Sequence, residues 1–451
     1  MPYRIIKLLA AIAAYGAVSH AIGQPAFGAP PLSDAIPVRD VAAPPASATV
    51  EPGSAGENLG ALTLRTALDL GFSSNRDLQS ARATLDAASG VLVSAGKRPN
   101  PTLTVGAGPG LLGQYRLRDA DVLINYSQLI ERGNKRELRT EAASRAADAA
   151  RLDIENTFRQ LRQALAAAYF TLKQEQERLD VAQANRNAFA RTREAAELRL
   201  KAGDIARVDV VRLRVEEGRS ENELQQARAD LAIARAVLAT LLARERDAPA
   251  IRAIDPWPLP GEGLLRRDRI EELLEARPDI RAAAARVRSG EASFELAKAQ
   301  RTRDVNVAVV TERNLPANGG TTLGVQLSIP LLIHNDYSGE IVRAQAELRS
   351  AQINLDKLRS NARSEVDRAL EQFESTRIQL VRFETQIVPD AKWAVDATEF
   401  AYKKGGIPLT DLLDARRQFY ATQRQLLESR TNFATARAAL ESSLSEAIFL
   451  R

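Results

Sequence analysis

Two histidines and no cysteine leave this 451-residue sequence few routes to covalent or metal chemistry. Without cysteine there are no disulfides, thiolate metal sites or thiol nucleophiles. A catalytic triad or a multi-histidine metal centre needs more imidazoles than His20 and His334 provide. Three strings invite a ligand reading. Gly108-Pro-Gly-Leu-Leu-Gly113 spells a dinucleotide fingerprint, but strand-like sequence resumes from Tyr115, where such a site requires a helix N-terminus facing the pyrophosphate. Gly96-Lys97 lacks both the upstream glycine and the following hydroxyl of a P-loop. His334-Asn335-Asp336 reads as a turn after a strand. No catalytic residue, cofactor or resident metal is expected. More informative are acids spaced against glycines: Asp209 comes six residues after Gly203, and Asp411 six after Gly405. Asp411 and Asp414 are three apart and share a helix face.

The surrounding composition points away from enzymes and nucleic-acid binders. Lys+Arg is 62 against 57 Asp+Glu, a net charge of only +5, and aromatics are 5% of the chain. That supplies neither a strongly basic surface nor a base-stacking platform, so no nucleic acid is expected as a partner. At the N-terminus, Arg4 and Lys7 precede an apolar run from Leu8 to Val18, followed by small residues. The run is too short to cross a bilayer, which takes about 20 residues, and residues 1–23 read as an export signal with cleavage between 21 and 29. Residues 24–60, rich in Pro, Ala, Gly and Ser, read as a linker.

The rest of the chain is written twice at an offset of 202 residues. Lys201, Gly203, Ile205, Asp209 and Arg214 meet Lys403, Gly405, Ile407, Asp411 and Arg416. Asp77, Ala95, Val105 and Leu129 meet Asp279, Ala297, Val307 and Leu331. Two copies, 61–246 and 264–448, are therefore expected on either side of a Pro-rich linker at 247–263. Each copy contains a pair of alternating segments, about 101–107 with 122–128 and about 305–311 with 322–329, which read as two β-hairpins. Most of the remainder reads as long helix. No Gly or Pro interrupts 134–202 or 340–388, and apolar residues such as Leu152, Leu161, Leu165 and Leu172 recur in steps that mark a narrow, Ala-rich seam.

Four strands cannot close a barrel, and an open sheet with bare edges has no place in a membrane. The fold class expected is mainly α with a membrane β-barrel, built by several copies that pool strands and helices; a homotrimer gives 4 × 3 = 12 strands. A periplasmic coiled-coil scaffold with hairpin tips is the alternative, and it leaves the strand alternation without a purpose.

The chain resembles the TolC-like outer membrane factors, the exit ducts of tripartite efflux pumps and type I secretion systems. The resemblance rests on Lys201-Ala-Gly-Asp-Ile205, Val208-Asp-Val210, Tyr402-Lys-Lys-Gly405, Thr410-Asp-Leu-Leu-Asp414, Arg277-Pro-Asp-Ile280 and Pro330-Leu-Leu. Gln128-Leu-Ile-Glu-Arg-Gly-Asn-Lys-Arg136 resembles the branch serving heavy-metal cation pumps of the cobalt–zinc–cadmium type. The resemblance implies a homotrimer in the outer membrane of a Gram-negative cell, with a helical tunnel into the periplasm. It also implies a periplasmic adaptor and an inner-membrane transporter of RND type as partners. The loops 106–121 and 312–321 would face outward, and the Gly203 and Gly405 turns would form the periplasmic tip that meets the adaptor. Asp411 and Asp414 match positions lining a constriction, where three chains would place six carboxylates that favour cations. Asp209 and Tyr402 match a hydrogen-bonded latch. The family's gating arginine falls at Ile407, so either the closed state is weaker or another basic residue, such as Lys403 or Lys404, is the expected substitute. A drug-efflux or type I secretion duct is the alternative within the family.

Overall fold

A computed structural model describes residues 59–109, 120–261, 270–313 and 320–445. The expected export signal, nearly all of the expected 24–60 linker, the remainder of the glycine string from Gly110 and the apices of the loops 106–121 and 312–321 lie outside the described residues. Each copy runs helix, hairpin, long helix, return helix. In copy one these are α1 (Leu64–Ser74), α2 (Arg76–Ala95), β1 (Thr102–Pro109), β2 (Ala120–Ile130), α3 (Lys135–Ala202) and α4 (Arg207–Leu241). In copy two they are α5 (Ile270–Glu275), α6 (Pro278–Ala299), β3 (Val305–Arg313), β4 (Thr321–Ser328), α7 (Ser338–Arg382), α8 (Val388–Lys403) and α9 (Leu409–Ser443). At 1.5 Å per residue, α3 alone is about 100 Å long.

The repeat is visible in the backbone itself. Gly203 and Gly405 have φ of 84° and 77°, and Ala243 and Ser445 have φ of 52° and 54°. Left-handed residues are uncommon outside glycine, so their recurrence at one offset marks the same local design used twice. The N-caps Asn75 and Arg277 are likewise equivalent, although Asn75 caps with its own side chain while Asp279 takes that task beside Arg277.

The strands form one antiparallel sheet in the order β1-β2-β3-β4. Register places Leu103 and Val105 opposite Tyr126 and Ile124, Tyr126 opposite Val309, and Val309 opposite Val325, so these side chains share one face. The other face carries Thr102, Thr104, Asn125, Ser127, Thr322 and Gln326, with Leu123, Leu129 and Val310 among them. One side of the sheet is thus apolar and the other largely hydroxyl and amide. Both β1 and β4 have an unpaired edge within the chain.

The helices repeat this plan as a single row. Near the sheet α2 packs on α3, α3 on α6, and α6 on α7; toward the far end α4 packs on α3, α3 on α9, and α9 on α8. Alanines line the seams, among them Ala149, Ala282 and Ala285, which lets backbones approach closely. The outermost helices expose apolar side chains: Val91 and Val93 on α2, Val208, Val211 and Val215 on α4, Ile378 and Val381 on α7, Trp393 and Phe400 on α8. Trp393 is 74% exposed. The bare strand edges and these apolar helix edges fall on the same two sides of the row.

The principal core lies around mid α3, where Leu165, Tyr169 and Leu172 meet Leu238, Leu242 and Ile251. The segment between the copies is not a free linker over its described part. Residues 245–250 form a 3-10 turn, Ile251 is buried, and Leu62 bridges to Ala253. Tyr169 ties this strap down. Its hydroxyl donates to the Leu62 carbonyl at 2.9 Å and accepts from the amides of Ile254 and Asp255 at 3.2 and 3.0 Å; burial pushes its pKa up to about 12. Trp257 stacks on Phe170 and donates to Glu177 at 2.8 Å. Tyr169→Phe leaves these backbone groups without their buried partner, at a cost of about 1–3 kcal/mol. The expected outcome is a lowered thermal midpoint of the helical signal, with strand content unchanged.

Candidate functional site at the helical tip

The far end of the row consists of two helical hairpins turned by the same device. After α3, Gly203 donates to Leu200 O at 3.0 Å and Asp204 to Arg199 O at 2.9 Å. After α8, Gly405 donates to Tyr402 O at 3.0 Å and Gly406 to Ala401 O at 3.0 Å. These paired bonds close the last helical carbonyls and require a left-handed residue, which glycine supplies without penalty. A Cβ at Gly203 or Gly405 would meet nothing within 4 Å, so both turns stand open.

The acids six residues after each glycine fall in the first turn of the return helices, Asp209 in α4 and Asp411 in α9. A carboxylate there is favoured by the helix dipole, which gives the spacing a structural reason. Behind them Val210, Leu213, Leu409, Leu412 and Leu413 pack with Phe189 and Ala196. Asp411 and Asp414 lie on the opposite, exposed face of α9.

The expected latch is not assembled within one chain. No hydrogen bond joins Tyr402 to Asp209 among the described residues. The Asp209 carboxylate faces Arg212 at 3.6 Å, and the Tyr402 ring packs against the apolar cluster with the Arg199 guanidinium 5.8 Å from its centre. Lys403 pairs with Glu399 one turn back at 3.0 Å, and Lys404 lies over the Phe400 ring.

Two arginines that the sequence reading did not single out join the hairpins instead. Arg416 of α9 donates to the Thr192 hydroxyl of α3 at 2.6 Å and the Ala188 carbonyl at 3.2 Å, and pairs with Glu399 at 3.4 Å. Arg417 holds Glu216 of α4 by two bonds, 2.6 and 3.2 Å, and reaches Asp414 at 3.0 Å. Glu216 is only 6% exposed. The repeat contained part of this signal: Arg416–Glu399 is the counterpart of Arg214–Glu197, at 3.0 Å in copy one. Arg417 and Glu216 had none, because they align with Val215 and Gln418. Where α3 and α8 diverge above α9, a cleft of about 540 Å³ opens, lined by Thr192, Arg199, Glu399, Tyr402, Arg416 and Tyr420.

The nine-residue stretch Gln128–Arg136 is a joint between sheet and helix. Gln128 donates to Pro99 O, the Arg132 amide to Asp304 at 2.9 Å, and buried Lys135 pairs with Asp304 at 2.9 Å. Gly133 has φ of 72°, and a Cβ there would come within 2.8 Å of Thr302. These residues hold backbone geometry and present no ligand set. His334 is exposed in the turn before α7, where the Asn335 and Asp336 carboxamide and carboxylate oxygens accept from the amides of Tyr337 and Ser338.

The hydrogen bonds from Arg417 hold the Glu216 carboxyl below the usual carboxylate range. Its contribution is complete above the unfolded value of about 4.3 and is lost as pH falls through the lowered folded value. Glu216→Gln is expected to remove that part of the acid dependence, so that stability changes less between pH 5 and the acid limb (about pH 3) than in the wild type. Acid unfolding of both proteins, followed by helical signal, measures it.

Comparison with known proteins converges on the same architecture. Residues 68–244 and 269–446, one stretch in each copy, match the family described as outer membrane efflux protein. The chain is 28% identical over 374 residues to the cobalt-zinc-cadmium resistance protein CzcC of Cupriavidus metallidurans, covering 82% of this chain and 87% of that protein. It is 24% identical to nodulation protein T of Rhizobium leguminosarum bv. trifolii, covering 84% and 85%. The solved outer-membrane channel OprN superposes with a TM-score of 0.74 at 22% identity, over 85% of this chain and 90% of that one. The two-copy chain, with its two-faced sheet and helical row, belongs to the outer membrane efflux protein family, whose members are channels of the outer membrane and not enzymes.

Proposed function

We propose that three copies of this chain close into one passive duct for heavy-metal cations, fed by a periplasmic adaptor and an inner-membrane transporter of RND type. The observation that carries the duct is the two-faced sheet with two bare edges. Its apolar face suits lipid and its hydroxyl and amide face suits water, while closure by further copies is the way to satisfy edge amides in a bilayer. Four strands from each of three chains give 4 × 3 = 12. The row of helices closes in the same sense, burying the apolar edges of α4 and α8 between neighbours.

The likeness to a cobalt-zinc-cadmium resistance protein supports the cargo. No group of three or more His, Cys, Asp or Glu that could hold a metal occurs among the described residues. With no cysteine, two histidines and one methionine, the sequence offers few soft ligands, so metal selection is left to the transporter and the duct acts on its cargo through charge. Asp411 and Asp414, exposed on α9, form an acidic ring of six carboxylates when three tips converge, and the open Gly203 and Gly405 turns are the surfaces offered to the adaptor.

A strain lacking this chain is expected to become sensitive to zinc, cobalt, cadmium or nickel, with complementation by the intact gene. Sensitivity to a drug panel alone would assign the duct to drug efflux and overturn the metal reading. In planar bilayers, the Asp411→Ala, Asp414→Ala double variant is expected to lose cation preference and block by polyvalent cations. Unchanged selectivity would remove the ring.

A further inference from the structure

The apolar rows of the sheet end in positive charge on the side where the helices begin. Toward that rim, one row runs Ile124, Tyr126, Gln128 and Ile130 along β2, and the next runs Val309, Val307 and Val305 along β3, with Ile130 opposite Val305. Side chains alternate along a strand. The residues that follow in these rows are therefore Arg132 and Arg303, opposite each other when the register is carried two residues further. The Arg132 amide donates to Asp304 at 2.9 Å and keeps the two segments together beyond the last paired residues. On one flank, exposed Leu331 follows Leu327 and Ile329 in the row of β4. On the other, Gln128 holds the Pro99 carbonyl at 2.9 Å and Arg139 the Lys97 carbonyl at 3.3 Å, which brings Lys97 and Arg98 to the same rim. Lys97, Arg98, Arg132 and Arg303 are all exposed.

The acids of this rim are already engaged. Glu131 holds Arg139 at 2.7 Å, Asp304 holds Lys135 at 2.9 Å, Glu137 holds Arg136 at 2.8 Å, and Asp336 faces Arg301 at 3.5 Å. Among the described residues no ion pair reaches Lys97, Arg98, Arg132 or Arg303. Like charges opposite each other on neighbouring strands lower stability, so Arg132 and Arg303 call for an anion between them. The stretch offers no set of metal ligands, but it offers phosphate what phosphate needs. A guanidinium binds phosphate oxygens through paired N–H bonds, while its stem lies along apolar surface. Where apolar rows face acyl chains, the groups met at their ends are lipid phosphates. The helices leave the sheet at this rim, which places it at the periplasmic leaflet.

We propose that Arg132 and Arg303, flanked by Lys97 and Arg98, bind the phosphate of an anionic phospholipid in the periplasmic leaflet, one site in each chain. The inference rests on the reading of the apolar sheet face as the lipid-facing wall of a duct, and adds to it the headgroup that the wall recognises. Net charge decides the class of lipid. Four basic side chains without acid partners attract a headgroup that is anionic overall, and repel the ammonium group that a zwitterionic headgroup carries beside its phosphate. The site fixes the depth of the sheet in the membrane at the level where its apolar rows stop.

The assembled protein in neutral detergent, offered dioleoylphosphatidylglycerol or dioleoylphosphatidylcholine, tests this by native mass spectrometry, which counts the lipids retained. The site predicts one phosphatidylglycerol held per chain under conditions that strip phosphatidylcholine. A basic residue beside an anionic headgroup is worth a factor of about five, so Arg132→Gln combined with Arg303→Gln should weaken phosphatidylglycerol binding about 25-fold. Arg301→Gln, on the same rim but already facing Asp336, should change it far less. Arg132→Lys with Arg303→Lys should keep the preference for the anionic lipid, because the charge remains. Equal retention of the two lipids by the wild type would overturn the proposal, and that comparison decides it even where a variant does not assemble. So would an equal loss from Arg301→Gln and from the double Gln variant. Inorganic phosphate binding as tightly as phosphatidylglycerol would make this a free-anion site and overturn the lipid assignment. A protein that inserts as trimers and conducts, yet shows no lipid preference, keeps the duct and loses this site. A protein that forms no inserted trimer loses the duct and the site with it.

Discussion

A protein one layer thick cannot satisfy itself. In this chain the sheet is four strands wide and the helical layer is a row of four, and each row ends in groups that have no partner within the chain. On the sheet these are the outward amides and carbonyls of β1 and β4. On the helices they are exposed apolar side chains, with Trp393 and Phe400 on α8 and Val208 and Val215 on α4. Trp393 lies 12 residues from the Gly405 turn and Val215 lies 12 from Gly203, as their numbering gives, so the two apolar edges match in height. Everything else in the fold follows from presenting two complementary open sides to further copies of itself.

This constraint also explains the composition. A closed wall surrounding water needs no thick core, which suits a chain with 5% aromatics and seams built of alanine. The larger side chains gather where the wall is doubled, around Tyr169, Phe170 and Trp257 and around Phe373 and Phe433. Charge has a different distribution. Most ion pairs lie within a helix or between neighbours on exposed faces, where each contributes little. The Arg417–Glu216 pair, with its acid buried, is one of the few that joins α4 to α9 near the tip.

Much of the fold was legible because the sequence says it twice. The offset of 202 residues carries the turn glycines, the strand pairs and the helical rods, and alternation against a helical period separates sheet from rod. What was not legible is what breaks the repeat or depends on three-dimensional neighbours. Pro389 would ordinarily end a helix, yet packing on both sides carries α7 into α8 through a π-turn. The segment 247–263 reads as a linker by its prolines, but nothing in that pattern announces that Tyr169 and Trp257 tie its described part to α3. At the tip, family likeness pointed to Tyr402 with Asp209, whereas in one chain the bonds go to Arg416 and Arg417; the repeat offers Arg416 through its counterpart Arg214, and no local pattern marks Arg417.

The most direct test of closure between copies is covalent. In one chain β1 and β4 are separated by two strands, so their Cα atoms are about 14 Å apart, beyond the reach of a disulfide. Leu103→Cys or Val105→Cys, each combined with Leu323→Cys, Val325→Cys or Leu327→Cys, samples the register between neighbouring sheets. The account predicts that one register yields covalent trimers on oxidation in the outer membrane, visible on a non-reducing gel. Monomers at every register, in protein inserted in the membrane, would contradict it.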